Sequence, residues 1–413
     1  MNVLRIAWRN LWRNGPRTAI TGAAVALNTA VLIVTIGLTQ GMLETTVKSL
    51  TQMSLGEAQV HAPKYREERR FHNTIQNPEA ILRAAEEHGI GATARSYGAG
   101  LASVGAKSSG ALFWGVDPAR ERAVFDLAGQ VQQGSYLSEK PPPPNADGDV
   151  VREVVLGHKL ANALQAQVGS ELIAVVQAAD GSIGNDLFLV KGILKTVSSD
   201  VDRSAAILSQ RDFAELFVSR GLTHEIALQS GGRLESTAIV DAVRESAGQN
   251  EVLTWQELAP STAQMLEMFG ALMAIFGLIF GLAAGTGVMN SMLMSTFDRM
   301  REFGVLKALG ATPWRIVRDV AGEALVLGLF FGALGALLGG LANYYLSVHG
   351  INLGTGDDLL LAGVAFDPFW KSTMSAEAIV GSLLLMGVVC VLSALYPAFK
   401  AARLDPVVAM TEP

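Results

Sequence analysis

The chain has 413 residues, of which 50% are hydrophobic and only 17% charged, with a formal net charge of −6. Soluble proteins average nearer about 25% charged residues, so the composition points away from an ordinary soluble chain. The acidic balance argues against a nucleic-acid partner, and the single cysteine, Cys390, excludes an internal disulfide framework.

The opening, "MNVLRIAWRNLWRNGPRTA", predicts a cytoplasmic amphipathic helix over residues 1–16. Arg5, Arg9 and Arg13 recur every four residues, while Leu4, Trp8, Leu11 and Trp12 lie on another side. Tryptophan favours the membrane interface, and a helix of this make-up lies along a membrane surface. Asn14-Gly15-Pro16 then breaks it.

A membrane-spanning helix needs about 20 apolar residues. Four runs meet this: Thr18 to Leu43, Met268 to Phe297, Ala321 to Leu346 and Ala378 to Pro397. They predict transmembrane helices over 17–43, 266–297, 320–347 and 376–397. The first run is too long for a cleaved signal and lacks a convincing cleavage site, so it reads as an uncleaved span. Gly277, Gly281 and Gly285 recur at four, as do Gly328 with Gly332 and Gly335 with Gly339. Small residues at this spacing let helix backbones approach closely.

Residues 44–265 carry a mixed pattern. "EAQVHA", "EVVLG", "ELIAVVQA", "FLVKGIL", "AAILS" and "HEIALQS" read as strands, and "NPEAILRAAEEHGI", "GHKLANALQAQVG", "SQRDFAELFVSRGL" and "ESTAIVDAVRESAG" as amphipathic helices. The alternation predicts a large α+β domain, of a size to form two subdomains. "PPPPNADGD", residues 141–149, is a loop tip. The first span is expected to continue outward as a stalk through Leu43, Val47, Leu50 and Ser54, facing a second stalk through Leu258, Met265, Leu266 and Phe269. Leu43, Val47, Leu50, Met265, Met268 and Phe269 thus form an apolar surface at the outer ends of the first and second spans.

Orientation follows from Lys and Arg. Basic residues crowd before the first span, between the second and third, and after the fourth, whereas residues 349–375 hold only Lys371 against Asp357, Asp358 and Asp367. The N-terminus, the 298–319 segment and the 398–413 tail are therefore expected to be cytoplasmic. Residues 44–265 and the 348–375 loop are expected outside. From Glu44 to Met265 there are 20 basic and 27 acidic residues, a balance of −7, so the rest of the chain is close to neutral.

The segment "REFGVLKALGATPWRIVRDV", Arg301 to Val320, stands between two spans. It predicts a short helix over Arg301 to Leu309, a stop at Gly310-Ala311, and a new helix capped by Thr312 with Pro313 first. Arg301, Glu302, Phe303, Leu306, Lys307 and Leu309 are the candidate docking residues for a cytoplasmic partner.

Catalytic patterns are missing from the sequence. "GLASVGAKS", 100–108, resembles a phosphate loop but places Ala106 between Gly105 and the lysine. The six histidines form no metal-ligand pair, and no nucleophile elbow occurs.

"RMREFGVLKALGATPWRIVRDV" resembles the coupling segment of the FtsX-like permeases of ABC transporters, the MacB or type VII class. "LYPAFKAARLDPVVAM" is similar to the family's closing motif, and "RIAWRNLWRNGPRTAITGAAVAL" to its opening. "GEAQVHAPKY", "FWGVDP", "VVLGHKLANAL" and "TWQEL" look most like the lipoprotein-release branch, the LolC and LolE permeases. The resemblance implies a non-enzymatic permease without its own cofactor, working with a cytoplasmic ABC ATPase dimer that carries ATP and magnesium. It implies a second permease, identical or related, and a lipoprotein or other amphiphilic cargo passed to a periplasmic carrier; with such a cargo, Leu43, Val47, Leu50, Met265, Met268 and Phe269 are the candidate substrate cleft, methionine adapting to varied apolar shapes. The alternatives are an exporter of periplasmic peptides or amphiphiles and a signalling permease controlling cell-wall hydrolases.

Overall fold

The computed structural model describes residue 9, residues 12–143, 150–219, 221–352, 360–361, 364–365 and 369–403. The first part of the chain runs α1 (Gly15–Leu50), β1 (Ala58–His61), α2 (Pro78–Glu87), β2 (Gly91–Val104), β3 (Lys107–Val116), α3 (Pro118–Val124), β4 (Val131–Gly134) and β5 (Glu153–Leu156). It continues through α4 (His158–Leu164), β6 (Glu171–Gln177), β7 (Ile183–Leu194), α5 (Ser199–Ser204), β8 (Ala205–Ser209), α6 (Gln210–Leu216), β9 (Glu225–Gln229), α7 (Ser236–Ala247) and β10 (Glu251–Thr254). Four helices close it: α8 (Pro260–Asp298), α9 (Met300–Ala308), α10 (Pro313–His349) and α11 (Ala376–Ala402). Two compact units result: Met1–Leu43 with Met265–Leu353 and Phe369–Pro413, and Glu44–Gln264 with Gly354–Pro368.

The first is the membrane unit. Helices α1, α8, α10 and α11 are each long and apolar enough to cross a bilayer. They meet in one core made by Val25, Ala284, Val288, Leu327, Phe331, Met386 and Cys390. Glycines set the spacing. A Cβ on Gly335 would lie 2.3 Å from the Ala26 carbonyl oxygen, and one on Gly339 2.8 Å from Ala30 Cα, so α10 packs backbone to backbone on α1. Gly281 and Gly285 turn toward Val389 of α11. Asn28 donates to the Ala24 carbonyl of its own helix at 2.9 Å. Asn343 of α10 reaches beyond its own helix: its Nδ2 donates to Thr373 O at 3.1 Å and its Oδ1 accepts from Ser372, while Trp370 Nε1 donates to Leu38 O at 2.7 Å. The chain leading into α11 is thereby fixed on α1.

The second unit is built on one 10-stranded sheet in which β2 belongs to two lobes. The end of β2 pairs with β3 and β6, and the pairings β3–β8, β8–β5, β5–β7 and β7–β6 close a circuit of six strands. Phe113, Leu156, Leu172, Phe188 and Val190, all fully buried, belong to the core of this lobe, and Phe213 of α6 and Phe217 just past its end join it. The start of β2, Gly91 to Arg95, pairs instead with β9, which continues through β1 to β10. Helices α2 and α7 cover that arm, placing Ile81, Leu82, Ile239 and Val243 against Val60, Ile226 and Leu228. The two expected subdomains are thus lobes of a continuous sheet.

All six expected strand runs are strands, and all four expected helix runs hold helices. Strands β2, β3, β4 and β10 were not expected. The phosphate-loop look-alike is the tip of the β2–β3 hairpin, where Val104 pairs with Lys107 and Gly105 has φ +55°. That conformation suits glycine in a tight turn.

Candidate coupling site between the second and third membrane helices

Helix α8 stops at Asp298 and α9 starts at Met300; Arg299 between them has φ −114° and ψ 11°. Helix α9 closes with a Schellman motif: Gly310 N–H donates to Lys307 O at 2.9 Å, and Ala311 N–H to Leu306 O at 3.0 Å. Gly310 has φ +89°, which the motif requires. Pro313 then opens α10 as expected. Thr312 has the extended backbone of a cap, but its side chain makes no capping hydrogen bond. The missing N–H of Pro313 removes one orphan donor there.

The four-residue spacing gives α9 two faces. Inward, Phe303 is 3% exposed and packs with Ile316, Val317, Val320, Ala398 and Ala401, with Leu306 partly buried beside it. Lys307 Nζ donates to Ala402 O at 3.0 Å. Outward stand Arg301, Val305 and Leu309, followed by Trp314; Leu309 is 80% and Trp314 68% exposed. So the six expected docking residues divide. Phe303, Leu306 and Lys307 hold the helix down, whereas Arg301, Glu302 and Leu309 face solvent.

An ion-pair network surrounds the junction. Arg299 Nη1 lies 2.8 Å from Glu323 Oε2 and its Nε 3.3 Å from Glu302 Oε2. Arg13 reaches Glu302 at 2.6 Å, and Arg17 reaches Asp298 at 2.9 Å. Burial works against ionisation of Glu302, but the Arg13 and Arg299 guanidinium groups outweigh it and hold its carboxyl below the usual range. The site offers an exposed apolar and charged face for a protein. Among the described residues no group of three His, Cys, Asp or Glu could hold a metal ion.

The candidate cleft residues fall in different units. Leu43, Met265, Met268 and Phe269 belong to the membrane unit, and Val47 and Leu50 to the sheet unit. Met268 is 56% exposed, whereas Leu50 is buried. Of the surface helix expected over 1–16, the described residues are Arg9, a short 3-10 turn, Trp12–Asn14, and Gly15 and Pro16, which already belong to α1. Residues 144–149 of the proline loop and 404–410 of the closing motif also lie outside them.

In the sequence Arg299 is one of several basic residues between two spans, and nothing in its spacing marks its place at the junction. A signal was present: Glu323 is an acidic group inside an apolar run, and such a group demands a partner.

Comparison with known proteins places the chain in a family. The MacB-like periplasmic core domain matches residues 18–249, and the FtsX-like permease C-terminal region matches 274–406. The chain therefore belongs to the FtsX-like, MacB-type permeases of ABC transporters. It is 27% identical over 432 residues to the pyoverdine export ATP-binding/permease protein PvdT of Pseudomonas entomophila, covering 100% of this chain and 60% of that one. It is 30% identical over 183 residues to the uncharacterized ABC transporter permease YknZ of Bacillus subtilis, covering 44% of this chain and 41% of that one. This chain thus spans about half the length of these curated relatives. Among solved structures, the periplasmic region of MacB from Actinobacillus actinomycetemcomitans matches with TM-score 0.35 and 15% identity, covering 52% of this chain and 91% of that one.

Proposed function

We propose that this chain is the permease subunit that couples a cytoplasmic ABC ATPase to work on the periplasmic side of the inner membrane. The observation that carries the reading is α9, a short helix closed at its end, anchored inward by Phe303 and presenting Val305, Leu309 and Trp314 outward. A connector between two spans needs no such exposed apolar surface; a protein-docking surface does. The basic ends of the spans support cytoplasmic termini and a periplasmic sheet unit. ATP and magnesium belong to the ATPase, and a second permease, identical or related, completes the unit.

The work is export of an amphiphilic or peptidic compound from the periplasmic side. Relatives named for pyoverdine export and macrolide export support this branch. Lipoprotein extraction toward a periplasmic carrier is the second reading. The observation favouring it is the exposed apolar flank of Met268, Leu272, Ile275 and Phe276 at the start of α8, where an acyl chain would lie. A switch for cell-wall hydrolases is the third.

Mass spectrometry of protein and lipid in the complex, affinity-purified in mild detergent, tests the reading. An ABC ATPase with an adaptor or small amphiphile supports export; an ATPase with acylated proteins shifts the reading to lipoprotein release. Absence of any ATPase, under conditions that preserve other membrane complexes, overturns the permease reading itself.

A further inference from the structure

Arg299 is the single residue between α8 and α9, and its side chain is fixed in two directions. Toward the membrane it pairs with Glu323, with side-chain exposures of 16% and 7%. Glu323 lies about three turns into α10. Toward α9 it meets Glu302, and its guanidinium sits 5.2 Å from the centre of the Phe303 ring. The neighbouring pairs differ in kind. Arg13–Glu302 is 52% and 48% exposed, and Arg17–Asp298 is 37% and 44% exposed.

We propose that Arg299 and Glu323 form the pivot of a mechanical joint, and that the Arg13 and Arg17 pairs are its releasable contacts. The inference rests on the coupled-permease reading above. Exposed ion pairs gain little over water, whereas breaking a buried one strands a charge. When a docked ATPase pulls on α9, the exposed pairs exchange first. The Arg299–Glu323 pair persists, and α9, still packed through Phe303 on α10 and α11, shifts with them about residue 299, whose backbone is already outside the helix. Release of Arg13 and Arg17 then frees the start of α1. A cavity of about 30 Å³, the size of a water molecule, adjoins Arg13, Arg17, Ser295, Asp298 and Glu323. Arg299 and Glu323 are positioning residues: they touch no cargo and set how motion passes from α9 to α1 and α10.

The experiment uses the full chain purified with its ATPase in detergent. Hydrogen exchange along α1 is compared without nucleotide and with ATP plus vanadate. Arg299→Met/Glu323→Met replaces the pair by apolar groups of similar length, which proteins often tolerate. The expected result is that the ATPase still co-purifies and hydrolyses ATP, but the nucleotide-dependent change along α1 is lost. Arg17→Glu should weaken that change, and Arg17→Glu/Asp298→Arg should restore it. Should the double methionine variant fail to insert, Glu323→Asp is read the same way. A methionine or aspartate variant that keeps the parental nucleotide response overturns the pivot and leaves the permease reading standing. A parent complex with no ATPase overturns the permease reading, and the pivot with it.

Discussion

Arg95 and Glu121 form a buried ion pair at 2.6 Å, with both side chains 1% exposed. Arg95 stands on β2, where the two lobes of the sheet unit diverge. Its Nη1 also reaches Glu225 of β9 at 2.9 Å, and the Tyr97 hydroxyl donates to the same Glu225 oxygen at 2.9 Å. The guanidinium lies 4.3 Å from the centre of the Phe125 ring and 5.7 Å from that of Trp114. One cation thus ties α3, β2 and β9 together.

Removing it strands two carboxylates. Breaking a buried pair costs about 3–5 kcal/mol. Arg95→Met should therefore lower the melting temperature of the purified chain by at least about 6 °C, followed by tryptophan fluorescence. Arg244→Met, which removes an exposed partner of Asp241, should change it little. Equal melting of both variants would show that the Arg95 cluster is a replaceable staple.

The glycines of α10 make a sharper contrast. A Cβ at Gly335 would sit 2.3 Å from Ala26 O, whereas one at Gly340 would meet nothing within 4 Å. Gly335→Ala forces α1 and α10 apart and should cost about 1–3 kcal/mol, in the range of overpacked cores. Gly340→Ala should be tolerated. Thermal aggregation in detergent distinguishes them, and similar curves for the two would mean that the helix pair absorbs the methyl by shifting.

Much of this fold is legible in the chain because the membrane helices announce themselves by length and apolarity. The glycine spacing also points to close helix contact, and the contact at Gly335 bears it out. Strand β2 is illegible for a related reason. "GATARSYGAGLASV" holds little β-branched or aromatic signal, yet its small residues are required by packing. A Cβ on Gly98 would lie 2.3 Å from the Phe217 ring, and one on Gly100 2.5 Å from Val176. The six-stranded circuit leaves no space there, so tertiary packing overrides local propensity. The candidate site was half legible. Spacing gives α9 two faces, but only the folded chain shows that Phe303 takes the inner one and that Arg299 joins Glu323 across 24 residues.

Two buried histidines give the sheet unit a pH dependence. Burial is the largest influence on His61 and on His224 and lowers both below the usual histidine value, with Glu225 opposing it. The geometry of His224 fits the neutral ring: Nδ1 accepts from Tyr97 N–H at 3.0 Å, so Nε2 carries the proton donated to Phe71 O at 2.7 Å. Unfolded histidine titrates near about 6.5. Below that the unfolded chain binds protons that the native one resists, so this contribution is full above about 6.5 and lost as pH falls toward the native values. Denaturation midpoints should drop between about pH 7.5 and 5.5, and His224→Gln should flatten the slope. An unchanged slope in that variant would assign the pH dependence to other groups.

The last prediction separates docking from folding on α9. Leu309 is 80% exposed, so Leu309→Asp adds a charge where water already is. It should leave the melting temperature unchanged while weakening association with the ATPase, because an exposed leucine on a docking face contributes by desolvation. Phe303→Asp acts differently. Its ring is 3% exposed between α10 and α11, and an unpaired carboxylate there costs several kcal/mol. That variant should fail in stability before any question of docking arises. The pair is measured by co-purification of the ATPase alongside detergent melting curves. If Leu309→Asp retains the full complement of ATPase, the exposed face of α9 is not the docking surface. If Phe303→Asp melts like the parent, the anchoring role of its ring is wrong.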